Sequence, residues 1–189
     1  MKTLFTLDFK NYNPDWPHSK RDSARGIIIM AEKMELPFAA DEKIALVYAK
    51  NDGYFKFPGG GIHEGEDKID ALIREVSEEV GLSVIPESVV EYGVVPRFQC
   101  SNYLPETIFD QESFYYFCKV GDGTHQQNLD AYEAEAGFEL RVVTIEEAIK
   151  TNEQLDSEDE FLKAMVLRDT KVLQGLVNFH IPNTHKNTH

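Results

Sequence analysis

Residues 59–82 read GGGIHEGEDKIDALIREVSEEVGL, a turn of three glycines followed by a segment dense in carboxylates. Glu66, Glu75, Glu78 and Glu79 are oxygen donors of the kind that hold hard divalent cations. Mg²⁺ typically takes one or two such carboxylates and fills its other positions with waters and substrate phosphates. The glycines before them let the backbone approach a ligand and turn its carbonyls or amides toward it. This combination fits phosphate chemistry carried out through metal, without many Lys or Arg. The plainer alternative is an acidic, solvated helix face after a glycine turn, and the carboxylates alone leave both open.

A helix must position these groups. Asp67 is its N-cap and Gly81 its stop. Between them Ile69, Leu72, Ile73, Val76 and Val80 fall at i, i+3, i+4, i+7 and i+11, a single stripe expected to face a sheet. Glu75, Glu78 and Glu79 lie beside the stripe at spacings of three and four, which gathers their carboxylates along one flank. Like charges at i, i+4 destabilise a helix by about 0.2–0.5 kcal/mol per pair. Arg74 can offset part of that by pairing with a neighbouring acid, and a divalent cation would reverse its sign.

The spacing is more specific than the composition. From Gly60 the chain runs Gly, five residues, Glu66, seven residues, Arg74-Glu75-Val76, one residue, Glu78-Glu79, one residue, Gly81-Leu82. It resembles at every fixed position the signature of the Nudix hydrolase family, G-x5-E-x7-R-E-U-x-E-E-x-G-U with U aliphatic. Phe57-Pro58-Gly59-Gly60 is similar to the usual lead-in. The resemblance implies an α/β/α sandwich with a mixed sheet over roughly residues 23–150, here followed by a C-terminal helix. It also implies hydrolysis of a nucleoside diphosphate linked to another group, by attack of water on phosphorus with Mg²⁺ or Mn²⁺. Glu75, Glu78 and Glu79 match the metal-ligating positions, and the Gly59 carbonyl matches a backbone ligand. Glu66 matches a supporting glutamate beside Gly60, and Arg74 an arginine that orients the acids; Glu78, Glu79 and Arg74 are therefore read as catalytic. The family often adds an acid from outside the signature. Glu135 and Glu133 are the candidates here, with Glu112 behind them. Arg97 is a candidate for substrate phosphates, and Phe98, Tyr92, Tyr115 and Tyr116 for stacking a base. Lys56 and His63 flank the segment and are given no catalytic role.

The remaining elements follow from periodicity. Residues 3–9 read as an edge strand, with Trp16 as a packing anchor, and residues 25–31 as a β-branched strand buried on both faces. Residues 43–49 and 54–57 form a hairpin through Asn51-Asp52-Gly53. Residues 89–98 are strand-like, with Pro96 suggesting an edge or a bulge. Residues 113–120 and 138–143 are further strands, separated by long loops expected over 99–112 and 121–137. Thr144 and Glu147 form a capping box that opens a short helix. Residues 157–177 carry helical spacing, an apolar stripe that fits packing on this chain's own sheet or on a second subunit of a homodimer.

The 189 residues fit one domain: an N-terminal arm over 1–22, a core over 23–150, a helical extension over 151–180 and a disordered polar tail over 181–189. The net charge of −14 argues against nucleic acid as a nonspecific partner but allows a small phosphorylated substrate approached through metal, which the resemblance implies to be a small-molecule nucleotide. No apolar run nears the roughly 20 residues that cross a bilayer, and the N-terminus has no signal-peptide pattern. Two cysteines, Cys100 and Cys118, make neither a disulfide framework nor a metal pattern, which places the chain in the cytoplasm. A nucleoside triphosphate is the leading substrate class. An ADP-ribose or nucleotide-sugar pyrophosphatase is the alternative within the enzymes, and a noncatalytic nucleotide-binding regulator the alternative outside them.

Overall fold

The computed structural model describes residues 1–30 and 36–177. The tail expected to be disordered and part of the connection after residue 30 lie outside the described residues. Among the described residues, eight strands form one mixed sheet: β1 (Leu7–Asp8), β2 (His18–Lys20), β3 (Ser23–Ile29), β4 (Lys43–Ala49), β5 (Tyr54–Lys56), β6 (Val90–Cys100), β7 (Ile108–Phe117) and β8 (Phe138–Thr144). The order is β1-β6-β7-β3-β4-β5, with β2 alongside β7 and β8 alongside β4. Among the described residues there are four α-helices, α1 (Lys68–Val80), α2 (Ala131–Ala136), α3 (Ile145–Glu153) and α4 (Glu160–Leu176), and a short 3-10 turn at Pro86–Ser88.

The sheet is covered on both faces. Leu72, Val76 and Val80 of α1 pack on Ala24, Ile28, Val47, Phe114 and Tyr116. On the opposite face, Ile145 and Ile149 of α3 and Val172, Leu173 and Leu176 of α4 pack on Ile27, Phe55, Phe57 and Tyr115. All seven residues of β3 are buried, as a β-branched run between two helical layers requires. The apolar stripe of α4 is therefore buried on its own chain.

β3 sets the position of the glycine turn. It runs parallel to β7 from Ser23 to Ile27, but only Ile28 and Ile29 pair with β4. Where β4 has diverged, the segment after β5 takes the open edge: Ala24 N donates to Gly60 O at 3.0 Å and Gly26 N to Pro58 O at 2.8 Å. The turn is thus fixed as an extension of the sheet.

Several boundaries differ from the sequence reading. β6 and β7 form a long hairpin in which β7 starts at Ile108, so the loop expected over 99–112 shrinks to the residues between Cys100 and Ile108. Asp110, Gln111 and Glu112 made this stretch look like loop, yet Asp110 and Gln111 are buried ladder residues. Pro96 sits inside β6 opposite Glu112, and the irregularity lies instead between Glu91 and Gly93. The stretch 121–137 contains the six-residue α2.

Candidate active site

Gly59 and Gly60 are required by close approach. Gly59 has φ +137°, and a Cβ there would stand 2.1 Å from Ala24 O. A Cβ on Gly60 would stand 2.1 Å from Glu75 Oε2. The glycines therefore let the β5–α1 connection lie directly on β3 and on the carboxylates of α1.

α1 begins with Asp67 Oδ1 accepting from Ile69 N and ends at Gly81 in the left-handed conformation, as its cap residues dictate. Its buried face is rotated from the expected stripe. Ile69 is 39% exposed, whereas Ala71, Glu75 and Glu79 are buried with Leu72, Val76 and Val80. Two acids thus lie under the glycine turn rather than beside it. Glu79, 1% exposed, receives Lys56 Nζ at 2.5 Å on Oε1 and Gly59 N at 2.8 Å on Oε2. Burial raises the Glu75 carboxyl above its ordinary range, with Arg74 opposing the rise.

Arg74 organises the acids. Nε and Nη2 grip Glu66 in a bidentate pair at 2.8 and 2.9 Å, and Nη1 reaches Glu75 at 2.7 Å and Glu78 at 3.1 Å. Nη2 also donates to Gly61 O at 3.0 Å, tying α1 to the turn. Hydrogen bonds from Arg74 and from His63 N hold Glu66 down at about 2. The like-charge repulsion along α1 is thus offset by one guanidinium placed among three carboxylates.

A fifth acid arrives from beyond the glycine turn and α1. The last carbonyls of α1 need donors, and residues 121–137 supply them: Asn128 N to Glu78 O at 2.9 Å, the Gln127 amide to Glu79 O, and His125 N to Gly81 O at 2.9 Å. The segment so docked folds α2, where Asp130 and Glu133 form a reciprocal capping box. Asn51, in the β4–β5 turn, donates from Nδ2 to Glu135 O at 2.6 Å at the other end. Glu133 then faces α1. One carboxylate oxygen each of Glu75, Glu79 and Glu133 lie within 4.8 Å of one another. Burial, with Glu79 nearby, raises Glu133 to about 7.

The cluster sits where two cavities meet. An outer groove of about 610 Å³ is lined by Arg21, His63, Arg74, Glu78 and Asn128, and an inner cavity of about 220 Å³ by Arg25, Lys56, Arg97, Phe109, Phe161 and Arg168. Glu75 and Glu133 line both.

The sequence candidates separate accordingly. Glu75 and Glu79 are brought together with Glu133. Glu78 is turned to the outer groove, and the Gly59 carbonyl accepts from Arg25 Nη1 at 2.6 Å. Glu135, two residues from Glu133 on a helix, is exposed on another side of α2 and lines neither cavity. Glu112 also lies outside both, since strand alternation turns it away from its cavity-lining neighbour Gln111. Arg97 does line the inner cavity, buried against the rings of Phe109 and Phe161, which also pack on each other. Phe98, one residue on, points the other way, toward His18. Tyr115 and Tyr116 are core residues, and Tyr92 packs on Phe117.

Lys56 and Arg168 carry more of the site than the sequence reading allowed. Alternation along residues 55–57, with Phe55 and Phe57 turned to the opposite core, places Lys56 on the α1 face. Arg168 falls on the apolar stripe of α4, three residues after Met165 and four before Val172. A charge on a buried stripe was the available signal.

Residues 20–165 match the NUDIX domain family model. The chain belongs to this family. The U8 snoRNA-decapping enzyme of Homalodisca vitripennis is 34% identical to this Nudix chain over 91 residues, 47% of this chain and 48% of that protein. The RNA pyrophosphohydrolase of Xylella fastidiosa (strain M12) is 32% identical over 94 residues, 44% of this chain and 47% of that protein. The Nudix chain thus spans about half the length of the curated relatives it matches. A NUDIX hydrolase from Nitrosomonas europaea shares the fold, with TM-score 0.52 and 20% identity over 82% of this chain and 90% of that one.

Proposed function

We propose that this Nudix chain is a Mg²⁺- or Mn²⁺-dependent pyrophosphohydrolase that cleaves the pyrophosphate linkage of a nucleoside diphosphate joined to another group, with a nucleoside triphosphate as its substrate class. The observation that carries this reading is the convergence of Glu75, Glu79 and Glu133 within 4.8 Å at the junction of two cavities. The donor set fits a hard divalent cation. It offers three carboxylate oxygens, and burial works against the charge of two of them, an imbalance that a cation relieves. When bound, the metal would supply positive charge against the phosphates and lower the pKa of the attacking water.

The chain's own groups have distinct tasks in this reading. Glu75 and Glu79 hold the cation, with Lys56 and the Gly59 amide fixing the orientation of Glu79. Glu78 adds a carboxylate from the outer groove. Glu133 takes the place of Glu135 and Glu112 as the acid from outside the signature. Arg74 and Glu66 position the acids rather than touch the substrate. The arm, core and extension division remains our proposal for the domain organisation. A reducing, cytoplasmic setting fits the two free cysteines.

A 5′-phosphorylated or capped RNA end is the second reading, favoured by the names of the two curated relatives. The net charge of −14 weighs against a long nucleic-acid contact. Hydrolysis of a panel holding nucleoside triphosphates, ADP-ribose, a nucleotide sugar and a short 5′-triphosphorylated RNA, with Mg²⁺, tests both. Release from free triphosphates supports the first reading. Release from RNA alone replaces it with the second, and no release from any of them refutes both.

A further inference from the structure

The inner cavity holds an excess of buried positive charge. Among the described residues, four buried guanidinium nitrogens lack a hydrogen-bond partner: Nε of Arg25, Nε and Nη1 of Arg97, and Nη2 of Arg168. All three arginines line this one cavity and are at most 6% exposed. Buried guanidinium groups are ordinarily paired, because an uncompensated charge away from water is unfavourable.

The nearby acids are already engaged. Asp169 accepts from Arg168 Nε at 2.8 Å, Tyr115 OH at 2.6 Å and Phe57 N at 3.2 Å. Glu79 is held by Lys56 and Gly59 N. Arg25 Nη1 is bonded to carbonyls of Phe57 and Gly59, not to a carboxylate. Arg97 receives only the faces of Phe109 and Phe161, at 4.7 and 4.6 Å from their centroids. Gln99, on the same face of β6, offers a neutral amide and no counter-charge. Burial and the neighbouring Arg168 and Arg25 pull the Arg97 guanidinium down to about 9.

We propose that Arg25, Arg97 and Arg168 form a cradle for a terminal phosphate of the substrate at the inner end of the cavity, leaving the nucleoside in the outer groove. The proposal rests on the hydrolase reading above and narrows its substrate class. Phe109 and Phe161 pack against the Arg97 guanidinium without accepting its hydrogen bonds, so its N–H groups remain to offer, and they match oxyanions. The inner cavity is about 220 Å³, against about 610 Å³ for the groove, so the smaller group belongs inside. A sugar, being neutral, would leave the arginines uncompensated. A terminal phosphate removes the excess charge, which selects a nucleoside polyphosphate over a nucleotide sugar.

Thermal denaturation in metal-free buffer with EDTA, titrated with inorganic pyrophosphate, tests the cradle apart from the carboxylate cluster. Pyrophosphate is expected to raise the melting temperature of the wild type, and Arg97→Met to weaken that response at least tenfold in concentration. Without ligand, Arg97→Met should melt no lower than wild type, because methionine packs against the same two phenylalanines without the stranded charge. A purely structural arginine would give a lower melting point. Should Arg97→Met not fold, the cradle is overturned on that count, unless Arg97→Lys folds and shows the same weakened response. An equal response to pyrophosphate in wild type and variant, or an equal response of the wild type to acetate, also overturns it. With Mg²⁺, Arg97→Met should lower the preference for a nucleoside triphosphate over a nucleotide sugar at least tenfold in kcat/KM. If the wild type hydrolyses nothing while pyrophosphate binding depends on Arg97, the hydrolase reading fails and the cradle stands.

Discussion

Glu79 is buried against one ammonium and one backbone amide, so its replacement has two separable consequences. Glu79→Gln leaves Lys56 without its counter-ion, and breaking a buried pair from one side costs about 3–5 kcal/mol. Lys56→Met added to Glu79→Gln should recover part of that loss in urea denaturation. Strictly additive losses would show that the two groups do not interact. The two glycines make a second contrast. Gly59→Ala meets backbone at φ +137° and should destabilise the fold by about 1–3 kcal/mol. Gly60→Ala adds a Cβ whose three nearest atoms all belong to the carboxylate end of Glu75. It should leave folding nearly unchanged while weakening Mn²⁺ binding in a calorimetric titration at least tenfold. Equal effects of the two on stability would contradict these placements.

Glu66 adds a pH signature at the same scale. Its carboxyl is held down from an ordinary 4.5 to about 2. An acid whose folded pKa lies below its unfolded value contributes stability above the unfolded value and loses it as pH falls toward the folded one. The contribution should be complete above about 4.5 and fade between there and about 2, and Glu66→Gln should flatten that part of the stability curve.

At the scale of elements, α1 was legible because its caps and spacing agree, down to Asp67 and Gly81. Its rotation was not legible. Nothing in the pattern tells an acid that will be shielded by Arg74, Lys56 and a glycine turn from one that faces water, and so Ile69 was assigned to the core in place of Glu75 and Glu79. The first half of β7 was hidden for the same reason, by buried polar residues whose partners lie elsewhere, Asp110 with His18 on β2 and Gln111 with Arg168 on α4. α2 is too short to stand alone and folds on the exposed carbonyls of α1, although its capping box at Asp130 and Glu133 was present in the sequence. Glu133 could be named as a candidate beside Glu135, but separating the two required that helix. Asn152 shows how α3 is tied in. Its side chain bonds Phe55 N at 2.7 Å, Phe55 O at 2.9 Å and Thr170 Oγ1 at 3.1 Å. Asn152→Leu strands the buried amide and carbonyl of β5 and should cost about 2–3 kcal/mol, read by urea denaturation; a loss under about 0.5 kcal/mol would contradict that role.

Over the whole molecule, the charge of −14 coexists with one cavity where three buried arginines stand apart from the Glu75, Glu79 and Glu133 carboxylates that line it too. Composition reports the sum and hides the separation, which is why the sequence named the metal chemistry and left the inner cavity unread. A cation bound by the folded chain alone stabilises it by mass action, by about 2.7 kcal/mol at one hundred times its dissociation constant. Mn²⁺ should therefore raise the melting temperature of the wild type and leave that of Glu75→Gln/Glu79→Gln unmoved. The most direct test of the account is phosphate or pyrophosphate release from nucleoside triphosphates in Mg²⁺, comparing wild type with Glu79→Gln. The account predicts turnover by the wild type that falls at least a hundredfold in a folded Glu79→Gln; equal rates for the two, or no turnover by the wild type, would contradict it.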